Sequence, residues 1–149
     1  MNRYLALLLF GTALLMACRK DKPETPLERP VTVGEGGVYI TNEGNFGWGN
    51  ASVSYYDIGT GTLVEDLYEP ANGVALGDVC QSMRLFNGKG YLVVNNSNKV
   101  VVVDPNTFTT TAVISGFNSP RHLLPVSNAK AYVTDLFANA ITVVDLNNH

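Results

Sequence analysis

Short runs in which apolar and polar positions alternate recur along the chain from residue 38 onward. A segment that carries a tyrosine comes first, and a loop then leads to a second run that contains an aspartate at or near its end. The tyrosine segments are residues 38–42, 90–95 and 131–135, and the second runs are residues 51–58, 99–104 and 140–145. Alternation with a period of two residues predicts β-strands.

The spacing between these runs indicates an internal repeat. Tyr91 and Tyr132 are 41 positions apart, and so are Asp104 and Asp145. Within each of these two units the tyrosine precedes the aspartate by 13 positions. A period of about 40–45 residues built from four short strands is typical of a β-propeller blade.

The remaining strands of each unit are predicted from the segments between these runs. First strands are expected at residues 81–86 and 121–126, and fourth strands at residues 62–68 and 108–114. The Asn-Gly pair at residues 87–88 predicts a hairpin turn. The fold class is therefore all-β, with about two and a half four-stranded blades of an incomplete propeller.

The domain prediction follows from this division. Residues 1–17 are expected to be a lipoprotein signal peptide, residues 18–35 a lipidated cysteine with a disordered tether, and residues 36–149 partial propeller repeats. Because closed propellers usually have four to eight blades, we expect the chain to be part of a protein of roughly 300–400 residues, at about 40 residues per blade. A small β-sandwich is the alternative fold.

The repeats resemble the YVTN family of β-propeller repeats, which includes YncE-like proteins. The Tyr-Val-Thr-Asp of residues 132–135, followed by the run at residues 141–145, carries the resemblance most clearly. The Ser-Pro-Arg of residues 119–121 also fits, and the resemblance extends over about residues 36–147. It implies a propeller fold and leaves the function open, because propellers host many functions.

The first residues have the pattern of a bacterial lipoprotein leader. Arg3 precedes a run of 14 residues without charge, which is too short to span a membrane and suits a signal-peptide core. The run ends in Leu-Met-Ala at residues 15–17 before Cys18, which resembles the lipobox whose cysteine receives the lipid. An ordinary signal peptide with a chance cysteine is the alternative. We expect attachment to the outer membrane through lipid alone, on its surface or periplasmic side.

Composition narrows the class of function. Charged residues make up 15% of the chain, and its formal net charge is −3. Without a basic surface, nucleic acid is not an expected partner. No catalytic motif or metal-ligand spacing is present, so neither an enzyme nor a metal site is predicted. With Cys18 lipidated, Cys80 would have no partner for an intrachain disulfide.

The first unit is longer than its siblings at two connections, and both insertions are expected at the same end of the blades. The first contains the only tryptophan of the chain, and we expect ligand contacts there. The candidate ligand-binding residues are Asn42, Glu43, Asn45, Phe46, Trp48, Asn50, Asn95, Asn96, Arg121, His122, Asp135, Phe137 and Asn139.

Each candidate group also has an ordinary structural interpretation. Phe46 and Trp48 would also fit a role in packing against a neighbouring blade. The asparagines and aspartates suit turns. Arg121 would also suit an ion pair with an acid across the central channel, and His122 a solvated position in that channel.

The resemblance also bears on the ligand. The Asn-Glu-Gly-Asn-Phe-Gly stretch at residues 42–47 is similar to that of lipid-anchored propellers of the Bacteroidota. One branch of these captures corrinoids for an outer-membrane transporter. This implies a surface lipoprotein that binds a corrinoid or another small nutrient, with a corrinoid as ligand rather than cofactor. A propeller enzyme acting through Arg121 and His122, and a structural or adhesive envelope protein, are the alternatives.

Overall fold

The computed structural model describes residues 36–148, which form three antiparallel sheets. The predicted leader, the lipidated Cys18, the tether and His149 lie outside the described residues. The all-β class is confirmed. Among the described residues there is no helix long and apolar enough to cross a membrane.

The first sheet has three strands in the order of the sequence. They are β1 (Gly37–Asn42), β2 (Ser52–Asp57) and β3 (Thr62–Val64). A short helix, α1 (Tyr68–Asn72), follows β3. The predicted strand at residues 62–68 is thus wrong beyond Val64, because Asp66 has a positive φ of 45° that breaks the extended backbone. Glu65 and Asp66 accordingly lie in a loop and not on one strand.

The second sheet has four strands and the third has three, each sheet with consecutive strands paired. The second sheet consists of β4 (Cys80–Phe86), β5 (Lys89–Val94), β6 (Lys99–Val103) and β7 (Thr110–Ile114). The third sheet consists of β8 (Pro120–Ser127), β9 (Lys130–Asp135) and β10 (Thr142–Asp145). Strand β7 starts two residues later than predicted, since Phe108 has a φ of 59° and its N–H closes a turn onto the Asp104 carbonyl.

The second sheet lies between the other two and is buried on both faces. One face packs on the first sheet through Leu92, Val94, Val101 and Val103. The opposite face packs on the third sheet through Tyr91, Val93, Val100 and Val102. Burial on both faces explains why β6 has four consecutive valines where a half-exposed strand would alternate. The β-sandwich, which was the alternative fold, would have two packed sheets, whereas this structure has three.

The buried thiol of Cys80 belongs to the core between the first and second sheets. Burial, and to a smaller extent the nearby Glu43 carboxylate, raise the pKa of Cys80 to about 12. The thiol therefore stays protonated and acts as a small apolar group.

Candidate functional site

Five connections emerge at the same end of the three sheets, which we call the loop end. They are the connections β1–β2, β3–β4, β5–β6, β7–β8 and β9–β10. The alternation of strand direction in antiparallel sheets brings them together. The two long connections of the first unit were expected at the same end of the blades, and in the structure they contact each other there. Asn50 pairs with Gly77 in an isolated bridge, and the Ala51 N–H donates to the Gly77 carbonyl at 3.0 Å.

Residues 43–50, which we call the aromatic loop, fold back on themselves by short-range hydrogen bonds. The Asn45 N–H donates to Asn50 Oδ1 at 2.8 Å, and the Trp48 N–H donates to the Asn45 carbonyl at 3.0 Å. Gly44 is required for this path, because a Cβ there would lie 2.5 Å from Asn50 Oδ1 and 2.8 Å from the Asn50 carbonyl oxygen. The loop is thus ordered by its own backbone.

The two aromatic side chains of this loop point into solvent. Phe46 and Trp48 are each 75% exposed, so they do not pack into a core of the described residues. Phe137, in the β9–β10 connection, is 70% exposed. In soluble proteins, a contiguous patch of exposed apolar side chains commonly marks a binding site. The loop end therefore carries exposed aromatic side chains on two connections, Phe46 and Trp48 beside the first sheet and Phe137 beside the third.

Asp78 joins three of the connections at the loop end. Its Oδ2 accepts the Gly47 N–H of the aromatic loop at 2.8 Å and also accepts from the Asn96 amide. Its own N–H donates to Ser97 Oγ at 2.9 Å. The residue is only 8% exposed, and its Oδ1 has no hydrogen-bond partner among the described residues. Sequence reasoning missed Asp78, because a single aspartate between two loops has no pattern to distinguish it.

We expect the substitution Asp78→Ala to loosen the aromatic loop. The Gly47 N–H would lose its charged acceptor, and a hydrogen bond of this kind contributes roughly 1.5–3 kcal/mol. Hydrogen exchange at Gly47 should therefore accelerate by about tenfold or more. Asp57→Ala is the matched control, since Asp57 accepts the Thr60 N–H at 2.9 Å in a turn at the opposite end. Equal Gly47 exchange in both variants would show that Asp78 does not hold the loop.

A chain of polar side chains links the aromatic loop to β4 and β8 at the loop end. Gln81, near the start of β4, donates from its amide nitrogen to Glu43 at 3.2 Å. Its amide oxygen accepts from the Arg121 guanidinium of β8. Ser82 Oγ also donates to the Arg121 carbonyl at 2.8 Å. Arg121 thus has a side-chain partner of its own, and Gln81 is a linking residue outside the predicted set.

Two predicted ligand-binding residues donate side-chain hydrogen bonds within the protein, Asn42 inside the first sheet and Asn95 to the segment at the start of β8. Asn42 donates to Ser52 Oγ and Ser54 Oγ across the first sheet, at 3.1 and 2.9 Å. Asn95 is buried and donates to Ser119 Oγ and the Pro120 carbonyl, at 2.8 and 2.9 Å. These contacts agree with the structural interpretation of these residues.

Asp135 acts in a similar way within the third sheet. Its carboxylate accepts the backbone N–H groups of Asn118, Ser119 and Phe137 at 2.7 to 3.1 Å. Desolvation alone would raise its pKa, but the hydrogen bonds from Ser119, Asn118 and the start of the β9–β10 connection outweigh it and hold the pKa below its usual range. The carboxylate therefore stays charged and fixes the base of the loop that carries Phe137.

The remaining candidates are exposed at the loop end. His122 has an exposed side chain, and its N–H donates to Thr134 Oγ1 at 3.2 Å. Asn139 is exposed beyond Phe137. The structure therefore brings the aromatic loop, Asn96 and Arg121 into one connected network, and Phe137 and Asn139 stand beside it on the third sheet.

A cleft of about 450 Å³ opens next to the aromatic loop, between the first sheet and the β3–β4 connection. Its walls carry three carboxylates, from Glu65, Asp66 and Glu69, together with the side chains of Asn42 and Asn50. Among the described residues no group of three histidine, cysteine or carboxylate side chains is arranged to hold a metal ion. The sequence does not indicate this cleft, because Glu65 and Asp66, which help to line it, were expected on a strand that extended to residue 68.

Fold and loops together define a class of protein: a stack of antiparallel sheets whose long connections present exposed aromatic side chains at one end. The chain belongs to the family described as "Domain of unknown function (DUF5074)", whose sequence model matches residues 36–149. No curated protein matches the chain.

Proposed function

We propose that this protein is a lipid-anchored binding protein of the bacterial envelope, which captures a small nutrient at the loop end of a β-propeller. The observation that carries the proposal is the 75% exposure of Phe46 and Trp48 on a loop that hydrogen bonds hold in place. A fixed loop loses little conformational freedom on binding, which favours affinity. The aromatic loop is thus prepared for a ligand without a large rearrangement.

The side chains at the loop end favour a ligand with both flat apolar and polar parts. Phe46, Trp48 and Phe137 offer rings for stacking, and Asn45, Asn50 and Asn139 lie in the same exposed loops. Aromatic rings beside amides combine apolar contact with hydrogen bonds. A corrinoid has this combination of features. Residues 42–47 resemble lipid-anchored propellers of which one branch captures corrinoids, so a corrinoid is the first ligand to test.

The propeller part of the proposal is supported by the arrangement of the sheets. The second sheet has four consecutive antiparallel strands, and its first strand, β4, contacts the first strand of the third sheet, β8. Neighbouring first strands are expected when blades radiate from a common axis. The repeat distance of 41 residues between Tyr91 and Tyr132 agrees with this arrangement.

The anchor is proposed from the sequence. A lipid on Cys18, followed by a tether rich in charge and proline, would hold the sheets near the membrane and leave the loop end accessible. An outer-membrane transporter is the partner that would receive the captured ligand. No part of the sheets then needs to enter the lipid.

Isothermal titration of the chain with cyanocobalamin and with cobinamide tests the ligand. We expect saturable binding that weakens by about tenfold or more when Phe46 or Trp48 is replaced with alanine, because an interface aromatic at a binding centre commonly contributes 2 kcal/mol or more. Ile58→Ala is the matched control, since Ile58 is also exposed but lies just beyond β2 at the opposite end.

The titration has two outcomes that would overturn parts of the proposal. Absence of binding by a folded chain would exclude the corrinoid. Binding that Ile58→Ala weakens as much as Trp48→Ala would exclude the aromatic loop as the binding surface.

A further inference from the structure

Two β-bulges lie at matching places in the first strands of the second and third sheets. In β4, the residues on either side of Gln81, Cys80 and Ser82, pair with adjacent positions of β5, so Gln81 is an extra residue in the strand. In β8, Arg121 is the extra residue in the same way, because its two neighbours pair with adjacent positions of β9. Bulges redirect side chains and are over-represented next to active sites. Each of these two sheets therefore has a redirected polar side chain at its loop end.

The two redirected side chains meet each other. Arg121 Nη1 donates to Gln81 Oε1, although the two residues are 40 positions apart in the sequence. Gln81 Nε2 in turn donates to Glu43 Oε1 of the aromatic loop at 3.2 Å. Because both ends of the Gln81 amide are engaged, the amide cannot turn over without losing these contacts. The half-buried Arg121 is thus oriented at the loop end, two hydrogen bonds away from the aromatic loop.

The contact with Gln81 uses only part of what the guanidinium of Arg121 can offer. It takes one of five N–H donors, and its acceptor is a neutral amide that does not compensate the positive charge. The planar fork of a guanidinium matches the two oxygens of a carboxylate or a phosphate. The carboxylate of Glu43 lies beyond Gln81 in this chain of contacts and accepts from the amide nitrogen instead. The arrangement therefore favours an oxyanion as a further partner of Arg121.

We infer that Arg121, oriented by Gln81, binds an oxyanion of the captured ligand, either a phosphate or a carboxylate. The presence of a captured ligand rests on the proposed function, whereas the oxyanion site rests on the two bulges and the hydrogen bond between them. First strands surround the axis of a propeller, so further blades would stand beside this pair around the same axis. The inference narrows the ligand to nutrients that combine a flat part, which stacks on Trp48, with an anionic group.

Titration with inorganic phosphate tests the oxyanion site without any assumption about the ligand. Sodium phosphate is added to the isotope-labelled full chain at an ionic strength held constant with sodium chloride, and the side-chain Nε–H signals are followed by nuclear magnetic resonance. We expect a saturable shift at Arg121 and little change at Arg84, which is exposed on β4. Sodium acetate is the second probe, and it distinguishes a carboxylate site from a phosphate site. Equal responses of the two arginines to both anions would overturn the site.

The substitution Gln81→Glu gives a sharper test of the same site. It places a carboxylate of nearly the same shape against the guanidinium, so the affinity for the anion should fall by about tenfold or more. Asn128→Asp is the matched control, because it adds the same charge at the opposite end, where Asn128 accepts from the Asn87 amide. Unchanged anion affinity in Gln81→Glu would contradict the inference.

The two corrinoids connect the site to the ligand. Cyanocobalamin contains a phosphodiester, and cobinamide does not. We expect Gln81→Glu to weaken cyanocobalamin binding by about tenfold more than cobinamide binding. Equal effects on both corrinoids would show that the anion of the ligand does not lie on Arg121, and would leave the aromatic loop as the binding surface. If a folded chain binds neither corrinoid, the proposed ligand is wrong, and the phosphate titration still decides the oxyanion site.

Discussion

Replacing Leu92 with alanine is expected to lower the free energy of unfolding by about 2–5 kcal/mol. Leu92 is 0% exposed and lies in the centre of β5, where it packs between the second and first sheets. Its removal would leave a cavity bordered by valines of the same sheet, which strand pairing prevents from moving inward. Urea unfolding followed by circular dichroism measures the change in the unfolding midpoint.

Leu85→Ala provides the matched control for Leu92. Leu85 lies in the neighbouring strand β4 of the same sheet but is about half exposed. Its substitution should change the stability by roughly 0.5 kcal/mol or less. A similar loss for both leucines would mean that the second sheet is not the buried centre of the stack.

Asn95→Ala is expected to destabilise the protein by about 1–3 kcal/mol for each buried group that it leaves unpaired. The side chain donates to Ser119 Oγ and to the Pro120 carbonyl, so it connects the second sheet to the start of β8. Without the amide, the buried Pro120 carbonyl would lose this donor. Thermal unfolding measures the effect, and Asn139→Ala, at an exposed position, should change the stability little.

The same substitution distinguishes the two interpretations of Asn95. If Asn95 serves only to join two sheets, the substitution Asn95→Ala should lower the free energy of unfolding. The affinity of the folded protein for its ligand should then remain unchanged. If the variant instead loses affinity and keeps its free energy of unfolding, Asn95 contacts the ligand. Asn95→Asp refines the result, because a carboxylate of nearly the same shape cannot donate to the Pro120 carbonyl.

The sheets could be predicted from the sequence because their signal is periodic. The repeat tyrosines and the valine runs each occupy fixed positions, and the observed β5, β6 and β9 begin and end within one residue of the predicted segments. Strand β10 ends where predicted and begins two residues later. The extent of β3 could not be predicted in the same way. The apolar positions of residues 62–68 predict a strand. In the structure, however, Tyr68 is buried at the start of α1, where its hydroxyl forms a hydrogen bond with Thr110 Oγ1 at 2.9 Å.

The candidate site was predictable only in part, for a related reason. Loop length indicated the aromatic loop and the end of the sheets at which it lies. The sequence alone could not separate asparagines that face solvent from those that bind another strand. Asn45 and Asn95 both follow strands, yet one is exposed and the other is buried between sheets. That difference depends on which loop lies above each residue, and this is a property of the tertiary structure.

The exposed position of Trp48 also provides a built-in optical probe. It is the only tryptophan of the chain, so indole fluorescence reports on one position of the aromatic loop and on no other part of the molecule. In the free protein the ring is surrounded by water, and its emission should be quenched readily by small solutes. Any compound that stacks on it would shift or quench this emission, so unlabelled protein can be screened against a library of nutrients before any ligand has been identified.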